Sequence, residues 1–179
     1  MNIILCGLPS VGKTTVGKML AEKLAYFFID TDDEVVRMFA AMHGKIYTCR
    51  EIAQKEGLLE FRKLEQKTIL GLKYNHHCLI ATGGGTVESL ANIYVLQYMG
   101  NIIYLRTRPE AILERLLQSG IPPYLDANNP VGSFKKLAEK RCSLFEQTYS
   151  LVIDTDGLTP EEISEKAFEY FKKRKLLLL

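Results

Sequence analysis

The sequence predicts an α/β fold, a three-layer sandwich in which a five-stranded parallel sheet is covered by helices on both faces. Short apolar runs alternate with longer segments of helical periodicity along the chain. The runs are continuously apolar rather than alternating, which is typical of parallel strands buried on both faces. Because no internal repeat or low-complexity linker interrupts the alternation, residues 1–179 are expected to form a single domain.

Each element follows from its own pattern. The predicted strands are 2–6, 26–29, 77–82, 101–105 and 150–153. The predicted helices, which carry their apolar residues on one side, are 13–25, 32–42, 49–56, 58–74, 88–99, 109–118, 132–147 and 159–173. Pro109 and Pro160 each stand where a helix should begin. In such folds ligands bind at the carboxyl ends of the strands, so functional residues are expected directly after them.

Composition favours a cytoplasmic protein that binds neither nucleic acid nor membrane. The formal net charge is only +2, and the four cysteines are scattered without a C-x-x-C pair, as expected of free thiols in a reducing compartment. No leader precedes the first strand, and no apolar run approaches the ~18 residues of a membrane span. The basic run 172–175 and the leucines 176–179 are expected to be the end of the last helix.

The first predicted strand is followed by a phosphate-binding P-loop. Residues 7–14 fit G-x-x-x-x-G-K-T between a strand and a helix, the context that this motif requires. Gly7 and Gly12 allow the backbone amides to turn inward towards a polyphosphate. Lys13 is expected to reach the outer phosphates, and the Thr14 hydroxyl to hold Mg²⁺. The residues expected to contact the nucleoside triphosphate are Gly7, Pro9, Ser10, Val11, Gly12, Lys13, Thr14 and Thr15.

The second predicted strand leads into four polar residues, Asp30-Thr31-Asp32-Asp33. Two carboxylates two residues apart can divide the work, one holding hydrated Mg²⁺ and the other orienting an acceptor hydroxyl and taking its proton. An acidic helix N-cap explains the same residues, because Asp is favoured there. The residues alone leave both interpretations open.

The third predicted strand is followed by three glycines, Gly83-Gly84-Gly85. Glycines at this place allow a ligand to approach the backbone closely and to accept hydrogen bonds from its amides. A flexible turn is the other interpretation.

Together with Glu60-Phe61-Arg62 and Lys140-Arg141, these motifs make the chain resemble the shikimate kinase family over nearly its whole length. The resemblance implies a P-loop kinase of the nucleoside-monophosphate-kinase-like group, with strand order 2-3-1-4-5. It also implies transfer of the ATP γ-phosphoryl group to the 3-hydroxyl of shikimate, in the biosynthesis of chorismate and the aromatic amino acids. The implied ligands are ATP, Mg²⁺ and shikimate, and a monomer is expected.

The resemblance also implies roles for individual residues. Lys13 and Asp32 would be catalytic, with Asp32 as the base, and Thr14 and Asp30 would bind Mg²⁺. The residues implied in shikimate binding are Asp32, Arg62, Gly83, Gly84, Gly85 and Arg141. Arg115 would stack on the adenine.

The two arginines, Arg62 and Arg141, suit an acceptor that carries a carboxylate. A planar guanidinium binds a carboxylate better than an ammonium does. Outside this constellation, Arg62 would be a solvated arginine paired with Glu60 or Glu65, and Arg141 would belong to a surface charge run.

One departure from the family concerns a predicted mobile lid, approximately residues 116–134. Members of the family carry a lid arginine, but Pro122 takes that place here and no Lys or Arg occurs from Leu116 to Phe134. Three functions stay open. The chain is a working shikimate kinase in which Lys13, Mg²⁺ and Lys135 or Lys136 supply the missing charge, a kinase of another small hydroxylated metabolite or nucleotide, or a nucleotide- and metabolite-binding protein with weak transfer activity.

Overall fold

The computed structural model describes residues 1–118, 120–122 and 124–174. Its centre is a parallel sheet of five strands in the order β2-β3-β1-β4-β5, which confirms the predicted fold class and strand order. The strands are β1 (Asn2–Cys6), β2 (Phe27–Asp30), β3 (Cys78–Ala81), β4 (Gly100–Arg106) and β5 (Leu151–Asp154). β1 therefore lies in the middle of the sheet, with β3 on one side and β4 on the other.

All eight predicted helices are present in the described residues. They are α1 (Lys13–Leu24), α2 (Thr31–His43), α3 (Cys49–Lys55), α4 (Leu58–Leu72), α5 (Leu90–Met99), α6 (Pro109–Gln118), α7 (Pro130–Phe145) and α8 (Pro160–Lys173). Pro109 and Pro160 begin their helices, as predicted. A 3₁₀ turn (Thr86–Glu88), which the sequence did not predict, connects β3 to α5.

Several predicted boundaries were wrong by one or two residues because local side chains cap the helices. The helix predicted at 88–99 begins at Leu90, since the Ser89 hydroxyl accepts a hydrogen bond from the Asn92 amide. The helix predicted at 132–147 begins at Pro130, since the Asn129 side chain accepts from the Gly132 amide at 3.0 Å. The strands predicted at 26–29, 77–82, 101–105 and 150–153 are likewise displaced or resized by one or two residues.

The sheet is buried at its centre and partly open at one edge. Every residue of β1 and β3 is buried, as their continuously apolar sequences predicted. β2 was expected to be covered on both faces as well, but none of its residues is buried, because it is the edge strand next to β3. The main core therefore forms around the central strands and the helices packed on them.

A second, smaller core holds together the helices beside the carboxyl ends of β2 and β3. Val35 and Phe39 of α2 meet Ile52 of α3 and Phe61 of α4 there. This cluster fixes α4 relative to the start of α2, and so positions the polar residues that both helices carry.

All four cysteines are free thiols, as predicted. Among the described helices, none combines the length and the apolar character that crossing a bilayer requires. The predictions for residues 175–179 lie outside the described part of the chain.

Candidate active site

The P-loop follows β1 with the backbone geometry that its glycines allow. Gly7 has φ +150°, and a side chain there would come within 2.6 Å of the Leu105 carbonyl oxygen of β4. Gly12 has φ +102° and immediately precedes α1, whose first residue is Lys13. The loop thus delivers the chain to a helix N-terminus, where amide groups are free to bind anions.

The ammonium group of Lys13 is folded back onto its own loop. It donates hydrogen bonds to the carbonyl oxygens of Gly7 at 3.0 Å and Leu8 at 2.8 Å, and the residue is only 8% exposed. Burial lowers the pKa of Lys13 to about 8, against the attraction of Asp32 and other nearby groups, while Arg141 lowers it further. The positive charge of Lys13 is therefore only partly balanced by nearby negative groups, which favours the binding of an anion.

Asp30, the last residue of β2, serves two purposes at once. Its Oδ1 accepts a hydrogen bond from the Asp32 amide at 3.0 Å and so caps α2, as the N-cap interpretation predicted. Its Oδ2 accepts from the Thr14 hydroxyl at 2.8 Å, which brings together the first turn of α1 and the end of β2. Capping and ligand binding are compatible here, because the two carboxylate oxygens face different partners.

Thr14 and Asp30 together form a donor set that suits Mg²⁺. Both offer hard oxygen atoms at one place, and Mg²⁺ in phosphate sites typically keeps several waters and takes one or two protein oxygens. No group of three or more His, Cys, Asp or Glu side chains that could hold a metal ion occurs within the described residues. A site completed by phosphate oxygens and water fits this arrangement.

Asp32 lies in the cleft between the P-loop and the glycine turn that follows β3. Its side chain touches solvent, but protein surrounds it closely enough that desolvation, followed by the charge of Asp30, raises the pKa of Asp32 to about 6, against the attraction of Lys13. A carboxyl group with this pKa is ionised at neutral pH and is more basic than an exposed aspartate.

The glycine turn, Gly83-Gly84-Gly85, is tightly packed by the protein's own residues. A side chain on Gly83 would come within 2.7 Å of Asp32 Oδ1, one on Gly84 within 2.7 Å of Pro9, and one on Gly85 within 2.8 Å of the Arg62 Cζ atom. The Gly83 amide already donates to the Thr31 hydroxyl at 2.9 Å. The P-loop, Asp32 and Arg62 therefore pack directly against this turn, which is not a loose connection.

Arg62 of α4 belongs to a buried polar network. Its Nη1 donates to Glu65 Oε2 at 2.9 Å, which is the pair that the alternative interpretation of Arg62 predicted. Glu65, only 2% exposed, also accepts from the Thr86 hydroxyl at 2.9 Å, and Asn92 donates to the Thr86 carbonyl. Glu65 therefore holds Arg62 against the glycine turn, a role that the sequence signalled only through the spacing of three residues on one helix.

Arg141 of α7 is not a surface charge, although it lies in a charged stretch of the sequence. It is 5% exposed, and its Nε and Nη2 groups both approach Glu88 Oε1, at 2.9 and 2.7 Å. Tyr124 places its ring 5.9 Å from the guanidinium carbon. The charge of Arg141 also lowers the pKa of Lys13, so α7 brings a second buried cation within electrostatic reach of the P-loop.

Arg115 lies beside the P-loop, and the helix that carries it leads into the segment predicted as a lid. Arg115 of α6 donates to the Ser10 carbonyl oxygen at 3.2 Å. The segment 116–134, predicted as a mobile lid, includes the end of α6, which extends to Gln118, and the start of α7, which begins at Pro130. Within it Leu125 is buried in the main core and Pro122 is half-buried, while the predicted substitutes Lys135 and Lys136 are exposed.

A phosphate-binding loop after β1, a pair of carboxylates at the end of β2 and two arginines, one buried and one partly exposed, define a P-loop phosphotransferase for a small anionic acceptor. The family model for shikimate kinase matches residues 9–172. The chain belongs to the shikimate kinase family.

Individual relatives agree over nearly the full length. The chain is 38% identical to the shikimate kinase of Thermodesulfovibrio yellowstonii, over 96% of this chain and 95% of that protein. It is 37% identical to that of Caldanaerobacter subterraneus subsp. tengcongensis, over 97% and 98%. Among solved structures, shikimate kinase from Acinetobacter baumannii in complex with shikimate superposes with a TM-score of 0.88 at 31% identity, covering 98% of this chain and 94% of that one.

Proposed function

We propose that this chain is a shikimate kinase that transfers the γ-phosphoryl group of ATP to the 3-hydroxyl of shikimate. The observation that carries this proposal is that Asp32 and Arg62 pack against the glycine turn beside the P-loop, while Arg141 pairs with Glu88 directly after that turn. A small carboxylated polyol needs a base at its hydroxyl and a cation at its carboxylate, and this cleft offers both. Since all these residues come from one chain, we propose that a monomer is sufficient.

The P-loop side of the cleft binds ATP in this proposal. Loop amides and the N-terminus of α1 receive the phosphates, and Lys13 exchanges its carbonyl partners, Gly7 and Leu8, for phosphate oxygens. Arg115, tied to Ser10, lies beside the base of the nucleotide. The reaction thereby begins with the triphosphate fixed and its charge partly neutralised.

Thr14 and Asp30 hold Mg²⁺ in this proposal. When bound there, the ion would neutralise negative charge on the triphosphate. Thr14 presents its hydroxyl oxygen directly, and Asp30 acts through Oδ2 while its Oδ1 keeps the cap of α2.

The acceptor side positions shikimate and activates its hydroxyl. Arg62 and Arg141 bind the carboxylate and so place the 3-hydroxyl next to Asp32. Asp32 takes the hydroxyl proton as that oxygen attacks the γ-phosphorus, and the bond between this phosphorus and the β,γ-bridging oxygen breaks. The products are ADP and shikimate 3-phosphate, with the proton left on Asp32.

A second candidate function follows from Pro122. A protein that binds ATP and shikimate but transfers the phosphoryl group weakly would result if no other cation replaced the lid arginine. Arg141 favours the kinase instead, because it adds a second buried positive charge within electrostatic reach of Lys13.

Product analysis tests the proposal. Purified protein with ATP and Mg²⁺ is expected to release ADP with shikimate, and not with gluconate or nucleoside monophosphates, and phosphorus NMR should identify shikimate 3-phosphate. Calorimetry with shikimate and a non-hydrolysable ATP analogue distinguishes the two candidates. Tight binding of both ligands without turnover would establish the binding protein, and turnover of another acceptor would replace shikimate as the substrate.

A further inference from the structure

Glu88 is a carboxylate beside the proposed shikimate site for which the mechanism has no use. It ends the 3₁₀ turn that directly follows the glycine turn, and its Oε1 accepts a hydrogen bond from Nε of Arg141 and forms an ion pair with Nη2 of the same residue. Its other oxygen, Oε2, forms an ion pair with Lys140. Two consecutive residues of α7 are thus bound to one side chain on the turn after β3.

The way in which Glu88 contacts Arg141 leaves part of the guanidinium available. A guanidinium has five N–H donors in a rigid plane, and Glu88 takes the edge formed by Nε and Nη2. The edge formed by the two terminal nitrogens is the other one that can bind a carboxylate with two parallel hydrogen bonds. Glu88 therefore determines the direction in which that second edge points.

We propose that Glu88 is a positioning residue that orients Arg141 for the carboxylate of shikimate. This inference rests on the proposed function, because it concerns the affinity of that same site. Without Glu88, the Nε–H group of Arg141, a residue that is 5% exposed, would lose its acceptor and Nη2 would lose its ion-pair partner, so the side chain would have to turn to satisfy them. The edge formed by the two terminal nitrogens of Arg141 would then no longer point towards the substrate carboxylate.

Glu88 also carries a negative charge, which on its own would oppose an anionic substrate. Lys140 offsets this charge in the same cluster. Burial alone would raise the pKa of Glu88, but the hydrogen bonds from Lys140 and Arg141 keep it below its ordinary value, so the carboxylate stays ionised at neutral pH. Removal of Glu88 and Lys140 together therefore deletes the orienting group while the net charge stays the same.

The test compares two double variants with the same change of composition. Glu88→Ala with Lys140→Ala is expected to raise KM for shikimate about tenfold while kcat changes less than about threefold, because orientation of the ground-state carboxylate is lost. Glu169→Ala with Lys172→Ala, which removes an exposed ion pair of α8, is the matched control. The KM for ATP should stay the same in both.

A double-mutant cycle shows whether Glu88 acts through Arg141. In an Arg141→Lys background, the change of KM caused by the Glu88 pair should disappear. An unchanged or lower KM in the Glu88 double variant, or the same increase in the Arg141→Lys background, would overturn the inference. If the unaltered protein neither binds nor phosphorylates shikimate, the proposed function fails and this inference fails with it. Turnover by the unaltered protein without a Glu88 effect refutes the inference alone.

Discussion

Lys13 and Asp32 face each other across the cleft with pKa values displaced towards neutrality from opposite sides. Burial lowers that of Lys13 to about 8, and desolvation raises that of Asp32 to about 6. Between these values both groups are charged, so the pH range in which a phosphate-binding cation and a proton-accepting carboxylate coexist is about two units wide. Each boundary of that range leads to a measurement.

Asp32 determines the acidic boundary. Below its pKa of about 6 the carboxyl group is protonated and cannot accept a proton. As the pH is raised towards 6, kcat/KM for shikimate should therefore increase by up to about tenfold per pH unit, and above pH 6 it should level off. Asp32→Asn should lower kcat by about 10²–10⁴-fold and change ATP binding little. A variant with unaltered kcat would remove Asp32 from the role of base.

Lys13 determines the alkaline boundary. Phosphates favour the charged ammonium and raise its pKa in the complex, so the affinity for ATP should be constant below pH 8 and fall as pH rises above it. Calorimetric titration from pH 7 to 9.5 measures this effect. Lys13→Met should bind ATP more weakly and with no change across the same range; persistence of the pH dependence in that variant would assign it to another group.

At the scale of single elements, the glycine turn shows how packing and binding share the same residues. Its three glycines are needed because Asp32, Pro9 and Arg62 occupy the space that side chains would fill. The sequence pattern predicts the glycines correctly as a place of close approach. It cannot tell which atoms approach, because the partners come from distant parts of the chain.

Gly85→Ala tests this packing. The new methyl group would displace the Arg62 guanidinium, so KM for shikimate should rise about tenfold or more, with little change in the KM for ATP. Gly71→Ala in α4 is the matched control, because a side chain there meets no atom within 4 Å. Steady-state kinetics on both variants make the comparison, and equal KM values would show that Arg62 is not confined by the turn.

The segment predicted as a lid allows a test in which a charge is added. Pro122→Arg would place a cation on the segment between α6 and α7, where no Lys or Arg occurs. If the transferring phosphoryl group lacks a counter-charge, kcat should increase, by up to about tenfold for one added electrostatic contact. Pro122→Gln controls for loss of the proline. An equal kcat in both variants would indicate that Lys13, Arg141 and Mg²⁺ already suffice.

At the scale of the whole molecule, local sequence patterns predicted those structural features that depend on residues close together in the chain. The prolines predicted where α6 and α8 begin. The strand order, in contrast, was implied by the resemblance to a known family, and the structure confirms it. Glu88 could not be predicted, because its partner Arg141 lies 53 residues away and nothing local marks it. The exposure of β2 was also missed, since its apolar sequence resembles that of a central strand.

The stability of the whole fold depends on the packing of α8 against α1. Phe171 is 0% exposed in the main core, so Phe171→Ala should lower the free energy of unfolding by about 3–5 kcal/mol. Phe168→Ala, the same change at a half-buried position of α8, should cost clearly less. Urea unfolding measures both. Turnover per folded molecule should stay the same, and a loss of kcat would reveal coupling from α8 to the P-loop.

The central position of β1 in the sheet has a consequence for folding during synthesis on the ribosome. β1 is made first, yet its partners are β3 and β4, with Ile3 paired to Leu79 on one side and to Asn101 on the other. Until residue 106 has left the ribosome, a strand that is fully buried in the folded protein therefore lacks one of its two neighbours. A growing chain halted before β4 should bind trigger-factor-like chaperones and no nucleotide, although its P-loop is already complete.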